Sequence, residues 1–294
     1  MSGASNLNNL AAFYRAMGRY DQAETLYKRG LTIYEQQLGS THPDTATCLN
    51  NLALLYDLMG RYDQSERLYK RALTIREQQL DADHPSTATS LNNLAELYRA
   101  MKRYEEAEPL YQKALVIREQ HLGPNHPDIA TSLNNLALLY QAMKKYDQAE
   151  PFCQRALSIY EQQFGPTHPD TAISLNNLAS LYWKLGHYDQ AEPLYKRSLT
   201  IREQQFGPDH PSTATSLNNL ALLYDSMGQY DQAEPLYKKA LTVYEQHLGI
   251  DHPSTMSILT NLASLYYLME RYNDVETLLR AYGKYDQFVS DESS

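Results

Sequence analysis

The chain has 294 residues, 35 acidic against 26 basic side chains, and a formal net charge of −9, which disfavours a broad phosphate-binding surface for nucleic acid or anionic lipid. Mean hydropathy is −0.58, and no apolar run approaches the length needed to cross a bilayer, so no membrane association is expected. Only two cysteines are present, and each replaces a different residue type at its repeated position, which argues against a disulfide or a metal pair. With no signal-peptide pattern at the start, the expected setting is reducing and cytoplasmic.

Self-similarity organises the rest of the sequence. Met1 to Ala4 read as a leader, and the first unit starts near Ser5 without a His-Pro pair, as expected of a chain cut from a longer array. His-Pro then recurs at His42, His84, His126, His168, His210 and His252, each 42 residues after the last. The Asn-Leu pairs at Asn9, Asn51, Asn93, Asn135, Asn177, Asn219 and Asn261 keep the same step, so the spacing predicts seven helix hairpins.

In one such unit Leu49, Leu52, Ala53, Tyr56 and Met59 trace a single apolar helix face, here termed helix A. Gly60-Arg61 breaks it, and Ser65, Leu68, Tyr69, Ala72 and Ile75 trace helix B to about Leu80. The residue two before each Pro (Thr41, Asp83, Asn125, Thr167, Asp209 or Asp251) is the expected N-cap of helix A. Pro109, Pro151, Pro193 and Pro235 fall just past the first turn of helix B, where a slight bend is expected. In the last unit Gly283 to Gln287 repeat the A–B turn string early, so helix B is expected to stop short. Residues 283–294 read as a degenerate or frayed tail.

A hairpin of this kind has more apolar surface than it buries alone, so neighbours must stack. The order Leu49, Leu52, Ala53, Tyr56, Gly60, Tyr62, Ser65, Tyr69, Ala72 resembles the tetratricopeptide repeat signature. The 42-residue length and strings such as HPDTATCLNNLALLY and YDQAEPLYKRSLTIREQQFG resemble the repeats of kinesin light chains and related bacterial arrays. The resemblance implies an all-α fold, a right-handed α-solenoid superhelix of seven antiparallel hairpins over residues 5–282, with A helices on the inner surface.

It also implies a protein–protein interaction scaffold that binds a linear peptide segment of a partner in the groove of the A helices, and no chemistry. Two alternatives stay open: a self-association element acting through uncapped ends or the groove, and a regulatory sensor array of a larger multidomain protein. By the family match, Asn9, Asn51, Asn93, Asn135, Asn177, Asn219 and Asn261 are carried over as peptide contacts. The other reading of these side chains is that they bond the adjacent A helices.

Partner information is expected in columns that vary between near-identical units. One holds Arg15, Asp57, Arg99, Gln141, Trp183, Asp225 and Tyr267; the next holds Lys184. Trp183, the only tryptophan, and Tyr267 are candidate anchors, and Arg15, Arg99 and Lys184 are candidate readers of a carboxylate. The six loop histidines stand one per unit, too far apart to share zinc, and no phosphate loop, nucleophile elbow or paired-cysteine motif is present, so no metal, cofactor or catalysis is expected.

Overall fold

The computed structural model describes residues 2–80 and 82–283, and all regular structure among them is helical. In chain order the helices are α1 (Ser2–Ala16), α2 (Tyr20–Leu38), α3 (Pro43–Leu58), α4 (Tyr62–Gln79), α5 (Pro85–Ala100), α6 (Tyr104–Leu122), α7 (Pro127–Ala142), α8 (Tyr146–Phe164), α9 (Pro169–Lys184), α10 (Tyr188–Phe206), α11 (Pro211–Ser226), α12 (Tyr230–Leu248), α13 (Pro253–Leu268) and α14 (Tyr272–Ala281). Odd-numbered helices are the A helices and even-numbered ones the B helices. These 14 helices make the seven hairpins of an α-solenoid.

The chain divides into two compact units, residues 1–159 and 160–294, with the break inside α8. In the first unit α1, α3, α5 and α7 are successive neighbours, and each B helix α2, α4 and α6 packs against the A helix that follows. In the second, α9, α11 and α13 are neighbours, backed by α10 and α12 in the same way.

Why the helices start and stop where they do is visible at each end. The A–B turns close with paired backbone bonds: Arg61 N–H donates to Tyr56 O at 2.8 Å and Gly60 N–H to Asp57 O at 2.9 Å. Such a turn needs one left-handed residue, and Gly60 supplies it at φ +71°. Lys102, Lys144 and Glu270 occupy the same position at φ near +60°, a conformation that costs an L-residue about 1 kcal/mol.

The expected caps of the A helices are corrected by the structure. Thr41, Asp83 and their equivalents do not cap; the N-cap is the histidine that follows, whose Nδ1 accepts the N–H of the residue after the proline. His84 Nδ1, for example, accepts from Ser86 N–H at 3.1 Å, with Pro85 at the first helical position, where its missing donor costs nothing. The loops are closed further by Thr45, Thr171, Thr213 and Thr255, whose hydroxyls donate to the last carbonyl of the preceding turn at 2.8–2.9 Å.

The B helices run through Pro109, Pro151, Pro193 and Pro235 without a break. α1 already begins at Ser2, so the expected leader is helical from that residue on. α14 does stop early, after 10 residues against 19 in α12. Of the expected tail, residues 284–294 lie outside the described residues.

Packing follows the repeated columns. Leu52, Leu94, Leu136, Leu178, Leu220 and Leu262 are all buried, as are Leu55, Leu97, Leu139, Leu181, Leu223 and Leu265 three residues on. Full burial of each such leucine is worth about 1.5–3 kcal/mol, so stacking rather than any single hairpin supplies the stability. In the first hairpin the same two columns are Leu10 and Phe13, and both are exposed, Phe13 to 59%.

Candidate functional site: the exposed stripe of the A helices

α3 buries two of its faces, one against its own B helix α4 and one against the preceding hairpin α1–α2. Beyond the first turn of α3 the positions left partly or wholly open are Thr47, Asn51, Leu54, Asp57 and Leu58, which follow helical spacing along one stripe. The columns of Leu54, Asp57 and Leu58, which differ between repeats, thus lie on the surface that the stack leaves open, except at Gln141 in the Asp57 column, which is buried.

The asparagine ladder is in part a stacking device. Asn51 Nδ2 donates to Asn8 Oδ1 at 3.2 Å, Asn135 to Asn92 at 2.8 Å, Asn219 to Asn176 at 2.8 Å and Asn261 to Asn218 at 3.4 Å. In each pair the second asparagine of one repeat reaches back to the first asparagine of the repeat before. Asn93 and Asn177 are half-buried on the same row, and Asn9 is exposed.

The charged candidates separate into different environments. Arg99 is paired with Glu96 on its own helix, and the Tyr111 hydroxyl also donates to Glu96. Burial pushes the Glu96 carboxyl up, but Arg99 and Tyr111 outweigh it and hold its pKa below the usual range. Arg99 is thus already engaged by a carboxylate. Arg15 is half-buried with Nη1 inaccessible and unbonded, on the same row as Asp57. The Asp57 carboxyl is raised by burial first and by Glu96 second, with Arg99 opposing. Lys184 is exposed at the end of α9.

Trp183 is half-buried against the core of the second unit, and its indole N–H donates to Ser226 Oγ at 2.8 Å, tying α9 to α11. Tyr267 is 50% exposed, its ring edge-on to Tyr272 at 5.5 Å. The two aromatics and Asp225 thus fall in one column on α9, α11 and α13, whereas the first unit carries Arg15, Asp57, Arg99 and Gln141 there.

Two networks have partners that a column-by-column reading misses. Glu66 on α4 accepts the Tyr98 hydroxyl of the next hairpin at 3.0 Å, Lys70 at 2.7 Å and Arg103 at 2.7 Å. Glu24 and Glu234 repeat this grip with Tyr56 and Arg61, and with Tyr266 and Arg271. The invariance of this Glu and Tyr through the repeats was the available signal. Arg76 on α4 is buried between α3 and α5, held by Ser86 O at 2.8 Å, Ser90 Oγ at 2.9 Å and Thr47 Oγ1 at 3.2 Å.

The six histidines of the His-Pro pairs are absorbed by the caps described above. Neither cysteine is in a disulfide and both are buried, and burial pushes the Cys48 thiol up to about 12, so it stays protonated at neutral pH.

A model of the tetratricopeptide repeat matches residues 4–78, 58–120, 86–144, 128–204, 188–246 and 226–282, almost the whole length. The chain belongs to the tetratricopeptide repeat family. Among solved structures it is similar to BtubC (BKLC) from P. vanneervenii, 25% identical, with 82% of this chain and 94% of that chain covered and a TM-score of 0.62. It is also similar to the kinesin light chain-type repeats of Podosopora anserina, at 26% identity, 70% and 98% coverage and a TM-score of 0.60. The sensor-bearing signal transduction ATPase PH0952 from Pyrococcus horikoshii shares the fold at 17% identity, with 98% of this chain and 42% of that one covered and a TM-score of 0.69. None of the curated proteins matches the chain in sequence. Tetratricopeptide scaffolds as a class mediate protein–protein interaction, and no described helix is long and apolar enough to cross a membrane.

Proposed function

We propose that this protein is a non-enzymatic scaffold that binds a linear segment of a partner protein along the row of A helices. One observation carries the reading: side chains that differ between otherwise matching repeats lie on the stripe the stack leaves open, while the unchanging ones are consumed in packing. A surface that varies while its support is kept constant is what selective recognition of an irregular peptide requires. The bonded asparagines Asn51, Asn135, Asn219 and Asn261 each carry further amide hydrogen-bonding capacity, which suits contact with an extended backbone. Two buried cysteines, neither in a disulfide, fit work in a reducing compartment such as the cytoplasm.

The test is selection of random 15-residue peptides on the full chain, followed by titration of the hits with Trp183 fluorescence as the reporter. Saturable binding that Leu138→Glu, at the position on α7 equivalent to Leu54, weakens at least tenfold with helicity unchanged supports the reading. Hits that do not saturate, or that ignore substitutions along the stripe, sink it.

A second reading, self-association, is favoured by the first hairpin. Phe13 is more than half exposed where its equivalents in later repeats are buried, Met17 is more than half exposed where its equivalents are half-buried, and Leu10, Tyr14 and Leu26 line an open groove of about 410 Å³. A sedimentation coefficient independent of protein concentration counts against this reading; a rise with concentration that Phe13→Ser removes supports it.

A further inference from the structure

Within each compact unit neighbouring hairpins are joined by a repeated grip with two halves. One half is a glutamate early in a B helix, backed by a cation one turn on. The other is the tyrosine and the arginine on either side of the next A–B turn. Glu24 takes Lys28 at 2.6 Å and, from the second hairpin, Tyr56 and Arg61 at 3.0 Å each. Glu66 takes Lys70, Tyr98 and Arg103, and Glu234 takes Lys238, Tyr266 and Arg271, all at 2.6–3.1 Å. The three glutamate side chains so held are 14–16% exposed.

The first and last hairpins each carry one half alone. Tyr14 and Arg19 stand where the later hairpins have Tyr56 and Arg61, and the guanidinium lies over the ring at 6.0 Å, against 5.7 Å in the second hairpin. Among the described residues no carboxylate reaches either of them. Glu276 stands on α14 where α12 has Glu234, backed by Arg280 at 2.7 Å, and its side chain is 44% exposed. Among the described residues no other helix reaches it.

The apolar surroundings of the two halves also correspond. Leu52 and Leu55 pack in one cluster with Ala23 and Tyr27, with Tyr20 and Leu26 against it. Leu10 and Phe13, the counterparts of those leucines on the first hairpin, are 43% and 59% exposed. Tyr272 and Leu278, the counterparts of Tyr20 and Leu26, both lie on the ten-residue α14, Tyr272 57% exposed and Leu278 half-buried. The first face thus fits a B helix with a glutamate at its fifth position and a cation at its ninth, and α14 is such a helix. Two first faces would set Arg19 against Arg19 and two last faces Glu276 against Glu276, so charge favours contact between unlike faces.

We propose that copies of this chain associate head to tail, the last hairpin of one stacking on the first hairpin of another so that Glu276 accepts Tyr14 and Arg19 of its neighbour. The proposal rests on the self-association reading and adds its faces and its chemistry. A contact between unlike faces leaves one of each open on the pair, so assembly continues unless a ring closes.

Sedimentation velocity of the full chain over a concentration series provides the test, with circular dichroism checking that each variant keeps its helicity. The sedimentation coefficient is expected to rise with concentration. Arg19→Glu sets two carboxylates against each other across the contact and Glu276→Arg sets two cations there, so each variant alone should associate at least about tenfold more weakly. Mixed in equal amounts, the two variants present opposite charges to each other at both contacts and should associate as the parent chain does. A rise with concentration that neither reversal weakens, or that mixing fails to restore, overturns the head-to-tail contact while leaving self-association standing. A coefficient independent of concentration removes the self-association reading and this contact with it.

Discussion

Glu66 is the residue whose loss the structure values most clearly. It joins two hairpins by accepting Tyr98 and Arg103 from the second while Lys70 supports it from its own helix, and Arg103 also lies over the Tyr98 ring at 4.2 Å. Burial alone pushes its carboxyl up, but the bonds from Lys70, Arg103 and Tyr98 prevail and bring the pKa from 4.5 to about 2. A shift of that size is worth about 3 kcal/mol at face value, and water on the outer side of the grip screens it to about 1–2 kcal/mol. The sign is that of a depressed acid: the stabilisation is whole above pH 4.5 and drains away as pH falls through 4.5 towards 2. Glu66→Gln is therefore expected to lower stability by about 1–2 kcal/mol at pH 7, and by less than half of that at pH 2.5. Urea unfolding followed by circular dichroism at 222 nm at the two pH values measures both. A deficit below about 0.3 kcal/mol at pH 7, or one equally large at pH 2.5, would refute the electrostatic account of the grip.

Substitutions at four other positions test the scaffold. Lys102→Gly and Lys144→Gly relieve left-handed backbone at the turns and should each raise stability by about 0.5–1 kcal/mol, read as a higher urea midpoint. His84→Ala removes the acceptor for Ser86 N–H and should cost about 0.5–2 kcal/mol, with His84→Asn recovering most of it in the same assay. Asp57→Asn removes a carboxylate whose pKa is raised by burial and by Glu96. It should stabilise the protein by up to about 1 kcal/mol at pH 7, a gain that vanishes once the pH is low enough for the native carboxyl to be protonated.

The fold was legible because its punctuation is chemical. His-Pro and the Gly60 position fix where each helix begins and ends, and the apolar spacing between them fixes which face is buried. Naming the cap failed at Thr41 and its equivalents, since an imidazole Nδ1 is a less common cap acceptor than a hydroxyl or carboxylate and sits one residue nearer the helix. The candidate site was legible only as a set of columns. That Arg99 closes on Glu96 three residues earlier was readable from helical spacing, but treating each column separately concealed it. That Trp183 reaches Ser226 was not readable, because the rotation between successive hairpins decides it.

The asparagine ladder allows packing to be tested apart from the proposed recognition. Asn135 spends an amide hydrogen on Asn92 Oδ1 at 2.8 Å, and losing that bond costs about 1 kcal/mol whichever partner is removed. Asn92→Ala and Asn135→Ala should therefore destabilise the chain by similar amounts. Only Asn135 belongs to the row assigned to the bound segment, so peptide affinity should fall about tenfold in Asn135→Ala and less than twofold in Asn92→Ala. Titration of a selected peptide against both variants, at a temperature where each is fully folded, compares them. Equal losses of affinity would mean that the peptide senses the integrity of the stack rather than the second asparagine, and the remaining asparagines of the row would then lose their assignment as contacts.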